Sequence, residues 1–236
     1  MNLFKCAVVC VAVFATCGCE QGQPTAPVST TPAQATPAVP AADFAATKKD
    51  AESGDAKAQH NLGVMYENGQ GVPQDYAEAL KWFRLAADQG DAKAQHNLGL
   101  MYYYGQGVPQ DYAEAMKSFR LAADQGDANA QYNLGGMYSW GDGVPQDDAE
   151  EMKWCRLAAD QGHAMAQNNL GYMYCRGKGV RQDKFEAYAW FSVAAAGGYA
   201  DAVLNRDLVA GEWTPEQLSQ GQRRAIELFK KISSGK

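Results

Sequence analysis

The chain has 236 residues, a formal net charge of −6 and a sequence pI near 5.1. Apolar residues make up 46% of it, which is enough to build a folded core and excludes a predominantly disordered chain. The sequence contains no basic stripe that could neutralise phosphates, so the composition argues against a nucleic-acid partner.

The first segment, "MNLFKCAVVCVAVFATCGCEQG", has the features of a secretory signal in the usual order. Lys5 precedes an apolar run from Cys6 to Cys17, and this run is shorter than the roughly 20 residues that a membrane-spanning helix needs. We therefore predict an export signal over residues 1–19.

The end of this signal resembles that of a bacterial lipoprotein, in which cleavage precedes a cysteine that receives the lipid. Cys19, which follows the small residue Gly18, is the predicted lipidation site, with Cys17 as the second choice. Plain cleavage and a retained anchor are the alternatives. An aspartate after the lipidated cysteine favours the inner membrane in such proteins, whereas Glu20 stands here. The resemblance therefore implies the periplasmic face of the outer membrane, or a periplasmic or secreted protein if no lipid is attached.

Residues 20–42, "EQGQPTAPVSTTPAQATPAVPAA", are rich in Pro, Ala and Thr and lack the large apolar residues of a core. This composition predicts an extended, disordered tether. With the signal removed and Cys19 lipidated, only Cys155 and Cys175 would remain as cysteines of the folded part.

From Asp55 onward the sequence repeats with a period of 36, in copies 55–90, 91–126, 127–162 and 163–198. The first two copies differ at only five positions. Each copy contains two apolar patterns with helical spacing, which in the first copy are "DAKAQHNLGVMYENG" and "DYAEALKWFRLAADQG". A single helical hairpin cannot bury its apolar face, so the copies must stack. The predicted fold is an all-α solenoid of stacked helical hairpins.

The recurring patterns "AQxNLGxMY", "GxGVPQD" and "AxxWFRLAADQG" resemble the Sel1-like repeat, a relative of the tetratricopeptide repeat with a longer loop between its helices. The resemblance covers residues 55–198. It implies an N-terminal capping helix at 43–54 and C-terminal capping helices within 199–236.

The last capping helix has its own start signal. Thr214 and Gln217 have the spacing of a capping box. Its predicted apolar stripe consists of Leu218, Ala225, Ile226 and Phe229.

The loop "GQGVPQD" joins the two helices of a copy, and a glycine-rich loop before a helix can cradle phosphate. Here, however, each loop ends on an aspartate followed three residues later by a glutamate, as in Asp111 and Glu114. This is the spacing of a capping box, and the carboxylate at the helix N-terminus would repel an anion. The first glycine, Gly105 in the second copy, is predicted to end the first helix in a left-handed conformation. The loop is therefore predicted to be a structural joint.

Positions that vary within an otherwise fixed helix are where a specific site could be encoded. With Asp55, Asp91, Asp127 and His163 as position 1 of each copy, the variable positions of the first helix are 3, 6, 10, 13 and 14. They fall on one stripe, which matches the concave groove of tetratricopeptide repeats. The predicted groove residues are Lys93, His96, Leu100, Tyr103, Tyr104, Asn129, Tyr132, Ser139, Trp140, Asn168 and Tyr172, with Asn61, Asn97, Asn133 and Asn169 as edge amides. The alternative is that the tyrosines pack on the loops or on the next helix.

Neither a cofactor nor a metal site is predicted. His60 and His96 occupy one position in successive copies, but packed helices lie about 8–10 Å apart and no third ligand recurs. Gly63 and its equivalents lie mid-helix, where a close helix approach would explain them. Cys155 and Cys175 are offset by about 8–10 Å along antiparallel helices, so a disulfide between them is disfavoured.

These patterns predict a monomeric, non-enzymatic protein-interaction scaffold in the bacterial cell envelope. Its groove would bind an unidentified envelope protein or peptide, and it would reach the membrane only through its lipid. A second function comes from a cysteine-rich branch of Sel1-like proteins linked to hydrolysis or binding of β-lactam antibiotics. That branch carries cysteine pairs between helices, whereas Ala86, Ala87 and Ala94 stand in that region here, so the resemblance favours the scaffold.

Overall fold

The computed structural model describes residues 41–211 and 213–234. The predicted signal, the lipidation site Cys19 and the tether up to residue 40 lie outside the described residues. The regular structure of the described ranges is entirely helical. The helices are α1 (Ala41–Glu52), α2 (Ala56–Asn68), α3 (Tyr76–Asp88), α4 (Ala92–Tyr104), α5 (Tyr112–Asp124), α6 (Ala128–Trp140), α7 (Asp148–Asp160), α8 (Ala164–Arg176), α9 (Lys184–Ala196), α10 (Asp201–Ala210) and α11 (Pro215–Ser234).

The predicted stack of helical hairpins is confirmed. Each copy forms one hairpin, and each second helix also packs against the first helix of the next copy. The N-terminal helix α1 begins at Ala41, two residues before the predicted start, and packs against α2. None of the described helices is long and apolar enough to cross a membrane.

The first helices end as predicted, and an aspartate caps the start of the first three. In α4, the side chain of Asp91 accepts a hydrogen bond of 2.7 Å from the backbone N–H of Ala94. The same helix ends on Gly105, which has φ +69° and donates its N–H to the carbonyl of Met101. Glycine adopts this left-handed conformation without steric cost, so it ends the helix cheaply.

The second helices are capped by the aspartate that ends each loop, but the predicted capping box is only half formed. Asp111 accepts hydrogen bonds from the N–H groups of Ala113 (2.9 Å) and Glu114 (3.1 Å). Its own N–H, which the glutamate of a capping box would satisfy, donates to the carbonyl of Tyr102 at 2.9 Å. Glu114 instead pairs with Lys117 on the surface. The C-terminal helix does have both halves of the box, between Thr214 and Gln217.

The loop also holds successive copies together. Gly107 has φ +69°, and a Cβ at this position would lie 2.5 Å from the carbonyl oxygen of Tyr76 in the preceding copy. The same contact recurs between Gly179 and Asp148. The loop backbone therefore packs directly on the start of the preceding second helix, which supports its interpretation as a structural joint.

A mid-helix glycine and a phenylalanine form the centre of three of the four hairpins. A Cβ on Gly99 would lie 2.6 Å from the ring of Phe119, and the same relation holds between Gly171 and Phe191. In the third copy Cys155 replaces the phenylalanine, and its Sγ would lie 2.8 Å from a Cβ on Gly135. The close helix approach predicted for these glycines is confirmed.

Buried glutamines link the hairpins. The side-chain amide of Gln95 donates to the carbonyl of Ala87 in the preceding helix, and its oxygen accepts from Gln125 at 2.7 Å. The fourth copy carries Gly197 where the others have the donor glutamine. Consequently the side-chain oxygen of Gln167 is buried without a hydrogen-bond partner among the described residues.

The C-terminal helix α11 packs on α9 with a different face from the predicted one. Its buried residues are Gly221, Leu228 and Ile232, whereas Ile226 and Phe229, predicted to be covered, are 55% and 50% exposed. Burial of Val193 of α9 in one cluster with Leu228 and Ile232, together with an ion pair between Arg224 and Glu186, fixes the rotation of the helix. The two faces are adjacent around the helix and both carry apolar residues, so the periodicity of the sequence could not show which one is buried. The rest of the predicted stripe, Leu218 and Ala225, is half-buried.

We expect Asp111→Ala to lower the free energy of unfolding by about 1 kcal/mol, because two N–H groups at the start of α5 lose their acceptor. The matched control is Glu114→Ala, which removes only an exposed ion pair and a favourable charge near the helix N-terminus, worth about 0.5 kcal/mol together. Urea denaturation followed by circular dichroism measures both. Equal losses in the two variants would contradict the one-sided cap.

Candidate binding face

The predicted edge amides form hydrogen bonds between neighbouring first helices. The side-chain nitrogen of Asn97 lies 3.3 Å from Nε2 of His60, and that of Asn133 lies 3.0 Å from Nε2 of His96. These amides are engaged within the stack, so the role predicted for Asn97 and Asn133 in binding a partner backbone is corrected. Asn169 is buried as well, whereas Asn61 is exposed.

Three predicted groove residues are buried, namely Tyr132, Ser139 and Asn168. The Tyr132 ring stacks on His163, with centroids 4.7 Å apart. Asn168 accepts a hydrogen bond from Asn205 of α10. Burial within the stack prevents these side chains from contacting a partner directly, so we remove them from the predicted binding surface. The alternative, that the tyrosines pack on the next helix, is correct for Tyr132.

Position 13 of the first helix contacts the loop of the next copy. The hydroxyl of Tyr103 donates to the carboxylate of Asp142 at 2.6 Å, and the Tyr103 ring contacts Tyr112. Ser139, at position 13 of the third copy, accepts a hydrogen bond of 3.1 Å from Lys178 in the loop of the fourth copy. Residues at position 13 and residues in the next loop therefore vary together because they contact each other. Variation at this position is for that reason weaker evidence that the residue binds a partner.

The surface that remains is centred on two large aromatic side chains. Tyr104 and Trp140 occupy position 14, at the ends of α4 and α6, and are 39% and 37% exposed. We call them the aromatic pair. Lys93 and Asn129 of the same helices are also exposed. The predicted groove residues His96, Leu100, Tyr103 and Tyr172 are half-buried.

The tyrosines of this face remain uncharged. Burial, with a smaller contribution from Tyr132, raises the pKa of Tyr104 to about 12. Burial and the hydrogen bond to Asp142 raise the pKa of Tyr103 above its usual range. The Tyr103 and Tyr104 rings meet edge to face, with centroids 5.1 Å apart. Tyr103, which Asp142 holds in place, therefore supports the exposed ring of Tyr104.

Histidines on this side of the stack are neutral in the folded protein. Burial lowers the pKa of His60, His96 and His163 below 6.5, although Asp91 and Asp127 oppose the effect. A neutral imidazole nitrogen can accept a hydrogen bond from an amide, as the contacts to Asn97 and Asn133 require. Protonation of the imidazole would turn this nitrogen into a donor, which would then face the N–H donor of the asparagine amide.

A buried ion pair links the third and fourth copies. It was not predicted from the sequence. Glu151 is 3% exposed, and its carboxylate accepts a hydrogen bond of 2.6 Å from Lys178 in the next loop. Lys178 also lies 3.5 Å from the carboxylate of Asp148. The sequence signal is that Glu151 stands where the other copies have alanine, in the same region where Lys178 replaces a glutamine.

This cluster is suited to holding two copies together. Burial raises the pKa of Glu151, against the effect of Lys178. Burial lowers the pKa of Lys178, but the hydrogen bond and charge of Glu151 outweigh it and raise the pKa overall. A lysine that stays protonated cannot serve as a base for the neighbouring Ser139.

Among residues 41–211 and 213–234, no group of three or more His, Cys, Asp or Glu side chains is arranged to hold a metal ion. Cys155 is a free, buried thiol, so no disulfide joins it to Cys175. Burial raises the pKa of the Cys155 thiol well above its usual range, which makes it a poor nucleophile.

Stacked two-helix repeats that contact only their neighbours define the class of α/α solenoid proteins. Within this class, the Sel1 repeat family model matches residues 56–91, 92–127, 128–163 and 164–199, which is more than half of the chain. The chain belongs to the Sel1 repeat family. The matched windows begin one residue after the copies read from the sequence.

Solved structures agree with this assignment. A Sel1 repeat protein from Oxalobacter formigenes is 32% identical over 84% of this chain and 80% of its own, with a TM-score of 0.71. A protective antigen of uropathogenic Escherichia coli with an SLR fold is 31% identical over 81% of this chain and 56% of its own, with a TM-score of 0.58. An immunity protein from Pseudomonas aeruginosa is 23% identical over 80% of this chain and 73% of its own, with a TM-score of 0.50, and shares the fold. The comparison with curated proteins gives no significant match.

We expect Lys178→Gln to lower the free energy of unfolding by about 3 kcal/mol, because it leaves the Glu151 carboxylate buried without its partner. The double variant Glu151→Ala/Lys178→Gln is the matched control, since the first two copies carry alanine and glutamine at these positions. It should recover most of the loss in urea denaturation. A double variant as unstable as Lys178→Gln alone would contradict the pairing.

The lowered histidine pKa values predict a loss of stability in acid. The unfolded chain takes up protons near pH 6.5, which the folded protein binds only at lower pH, so the free energy of unfolding should fall below about pH 6.5. His96→Asn removes one titrating group and keeps an amide acceptor, as Asn168 does in the fourth copy.

This variant should lose less stability than the parent between about pH 7.5 and about pH 5, measured by urea denaturation at each pH. The comparison cancels the carboxylates that titrate in both proteins. An identical pH dependence would contradict the contribution of His96.

Proposed function

We propose that this Sel1 repeat protein is a non-enzymatic scaffold of the bacterial cell envelope, which binds an extended segment of a partner protein across the ends of α4 and α6. The observation that carries the proposal is the aromatic pair. Tyr104 and Trp140 occupy equivalent positions in successive copies and keep 39% and 37% of their surface exposed, whereas Tyr132 of the same stripe is buried.

The aromatic pair has the properties of binding anchors. Tyrosine and tryptophan present a large apolar surface, lose little conformational entropy when they bind, and dominate the energy of many interfaces. The contact of Tyr104 with Tyr103, itself bonded to Asp142, holds one anchor in place before binding. Exposed Lys93 and Asn129 add polar groups on the same helices.

The spacing of the pair favours an extended ligand. The side chains of α4 and α6 meet at His96 and Asn133, which places these helices about 10 Å apart, and an extended chain advances about 3.3 Å per residue. The two anchors would therefore contact side chains about three residues apart.

The envelope location rests on the N-terminal sequence. The export signal and the lipidated Cys19 are predictions from residues 1–19. The similarity to a protective antigen of uropathogenic Escherichia coli is in keeping with such a location. A mature N-terminus at Cys19 that carries lipid, identified by mass spectrometry, would support the membrane attachment.

Peptides selected from a random display library on the purified protein test the binding face. Tyr104→Asn/Trp140→Asn introduces the residue that Asn68 provides at this position in the first copy, so the fold should be kept. We expect the double variant to bind the selected peptides at least about tenfold more weakly in fluorescence polarisation, because each anchor contributes at least about 1 kcal/mol.

The matched control is Leu121→Asn, which replaces an exposed side chain on the second helix α5. It should leave the affinity unchanged, and melting temperatures should be compared for all three proteins. Peptides that bind the double variant as tightly as the parent would contradict the proposed binding face.

A further inference from the structure

We propose that the aromatic pair recognises a proline-rich segment in the polyproline II conformation, and that its occupant is this chain's own segment 23–40. This inference rests on the proposed function, since it assigns a ligand to the same face. The occupant is identified by its sequence, by its point of attachment to α1 and by the spacing of the aromatic pair.

The segment is "QPTAPVSTTPAQATPAVP". It contains five of the nine prolines of the chain and no charged residue. Two of its stretches, Pro24 to Pro27 and Pro37 to Pro40, have the spacing PxxP. Proline-rich segments of this kind bind grooves lined by aromatic side chains, because the polyproline II conformation is favoured in advance and little entropy is lost on binding.

The periodicities of ligand and site agree. A polyproline II helix rises about 3.1 Å per residue, so the prolines of a PxxP motif lie about 9 Å apart on one face. The side chains of α4 and α6 meet at His96 and Asn133, so equivalent side chains on these two helices are about 10 Å apart. Successive prolines could therefore rest on Tyr104 and Trp140 at the same time.

Charge also favours this ligand. The Tyr104 and Tyr103 phenols stay neutral, and Tyr103 already occupies the carboxylate of Asp142. Lys93 lies at the other end of α4, and the exposed Arg176 occupies position 14 of the fourth copy. A neutral segment loses no solvation of charge when it binds such a surface.

The start of α1, which follows the segment in the sequence, lies at the same end of the stack as the aromatic pair. The Phe44 ring in the first turn of α1 meets the ring of Tyr66 near the end of α2, and Ala51 near the end of α1 accepts a hydrogen bond from Gln59 near the start of α2. The beginning of α1 therefore lies at the level where the first helices end, which is where Tyr104 and Trp140 are found.

The length of the segment is sufficient. Reaching α6 from α1 takes three steps, from α1 to α2, from α2 to α4 and from α4 to α6, or about 24–30 Å at about 8–10 Å a step. Thirteen residues separate Pro27 from Pro40, and they span about 40 Å in the polyproline II conformation. The first PxxP motif can therefore reach both aromatic residues, where it would compete with an outside partner.

A photo-crosslinker tests the contact in the full-length protein. With p-benzoylphenylalanine in place of Trp140, irradiation should produce an intramolecular crosslink to residues 23–40, identified by mass spectrometry. The same probe in place of Leu121, which is exposed on α5, should give no crosslink to this segment. Replacing the five prolines of the segment by alanine should reduce the crosslink at position 140 at least about fivefold, since a loss near 1 kcal/mol suffices for this.

Replacing the four threonines of the segment by serine keeps the prolines and should leave the crosslink unchanged. The proposal is overturned if the probe at position 140 crosslinks elsewhere, if the crosslink survives the proline substitutions, or if mixed isotope-labelled proteins show that the segment comes from a second copy.

The library-selected peptides separate this inference from the proposed function. If the segment occupies the face, the five-proline variant should bind them at least about fivefold more tightly than the parent. Equal binding by both proteins that still depends on Tyr104 and Trp140 would remove the internal occupant and leave the proposed function standing. Binding independent of these two residues would remove the proposed function itself.

Discussion

The fold depends on the contact between a mid-helix glycine and an aromatic ring. At Gly99, the missing side chain leaves the space that the ring of Phe119 fills, and the same relation recurs at Gly171 and Phe191. Each glycine costs the helix about 1 kcal/mol relative to alanine, but full burial of the phenylalanine contributes about 1.5–3 kcal/mol. The contact sets the distance between the helices in three hairpins, and in the third copy Cys155 lies against Gly135 instead.

Contacts of two kinds are built on this spacing. Repeated ones, such as the bond from Gln125 to Gln95 and the bond from Arg120 to the hydroxyl of Tyr138, stack one hairpin on the next. Variable ones join side chains that differ between copies, such as Tyr103 with Asp142 or Glu151 with Lys178. The variable contacts use much of the stripe that sequence variation alone marks as a binding groove. What remains for a partner is a small surface around Tyr104 and Trp140.

The sequence predicted the architecture better than the site. The period of 36, the helix-ending glycines and the capping aspartates follow from local rules that act within a few residues, and the structure confirms them. The role of Glu114 was wrong because the N–H of Asp111 donates to Tyr102, which precedes the loop. The face of α11 was wrong because two adjacent faces of this helix carry apolar residues, and only contact with α9 selects one of them.

The sequence by itself therefore determined the repeat, the hairpin and the family, because local propensity and periodicity are written within each copy of 36 residues. The tertiary structure alone decided which side chains of the variable stripe remain accessible. Tyr132 is buried because it stacks on His163 of the next copy. Tyr104 is exposed beside Tyr103, which is itself held by Asp142 of the next copy. Burial is a property of the assembled neighbours, and no periodicity along one helix encodes it.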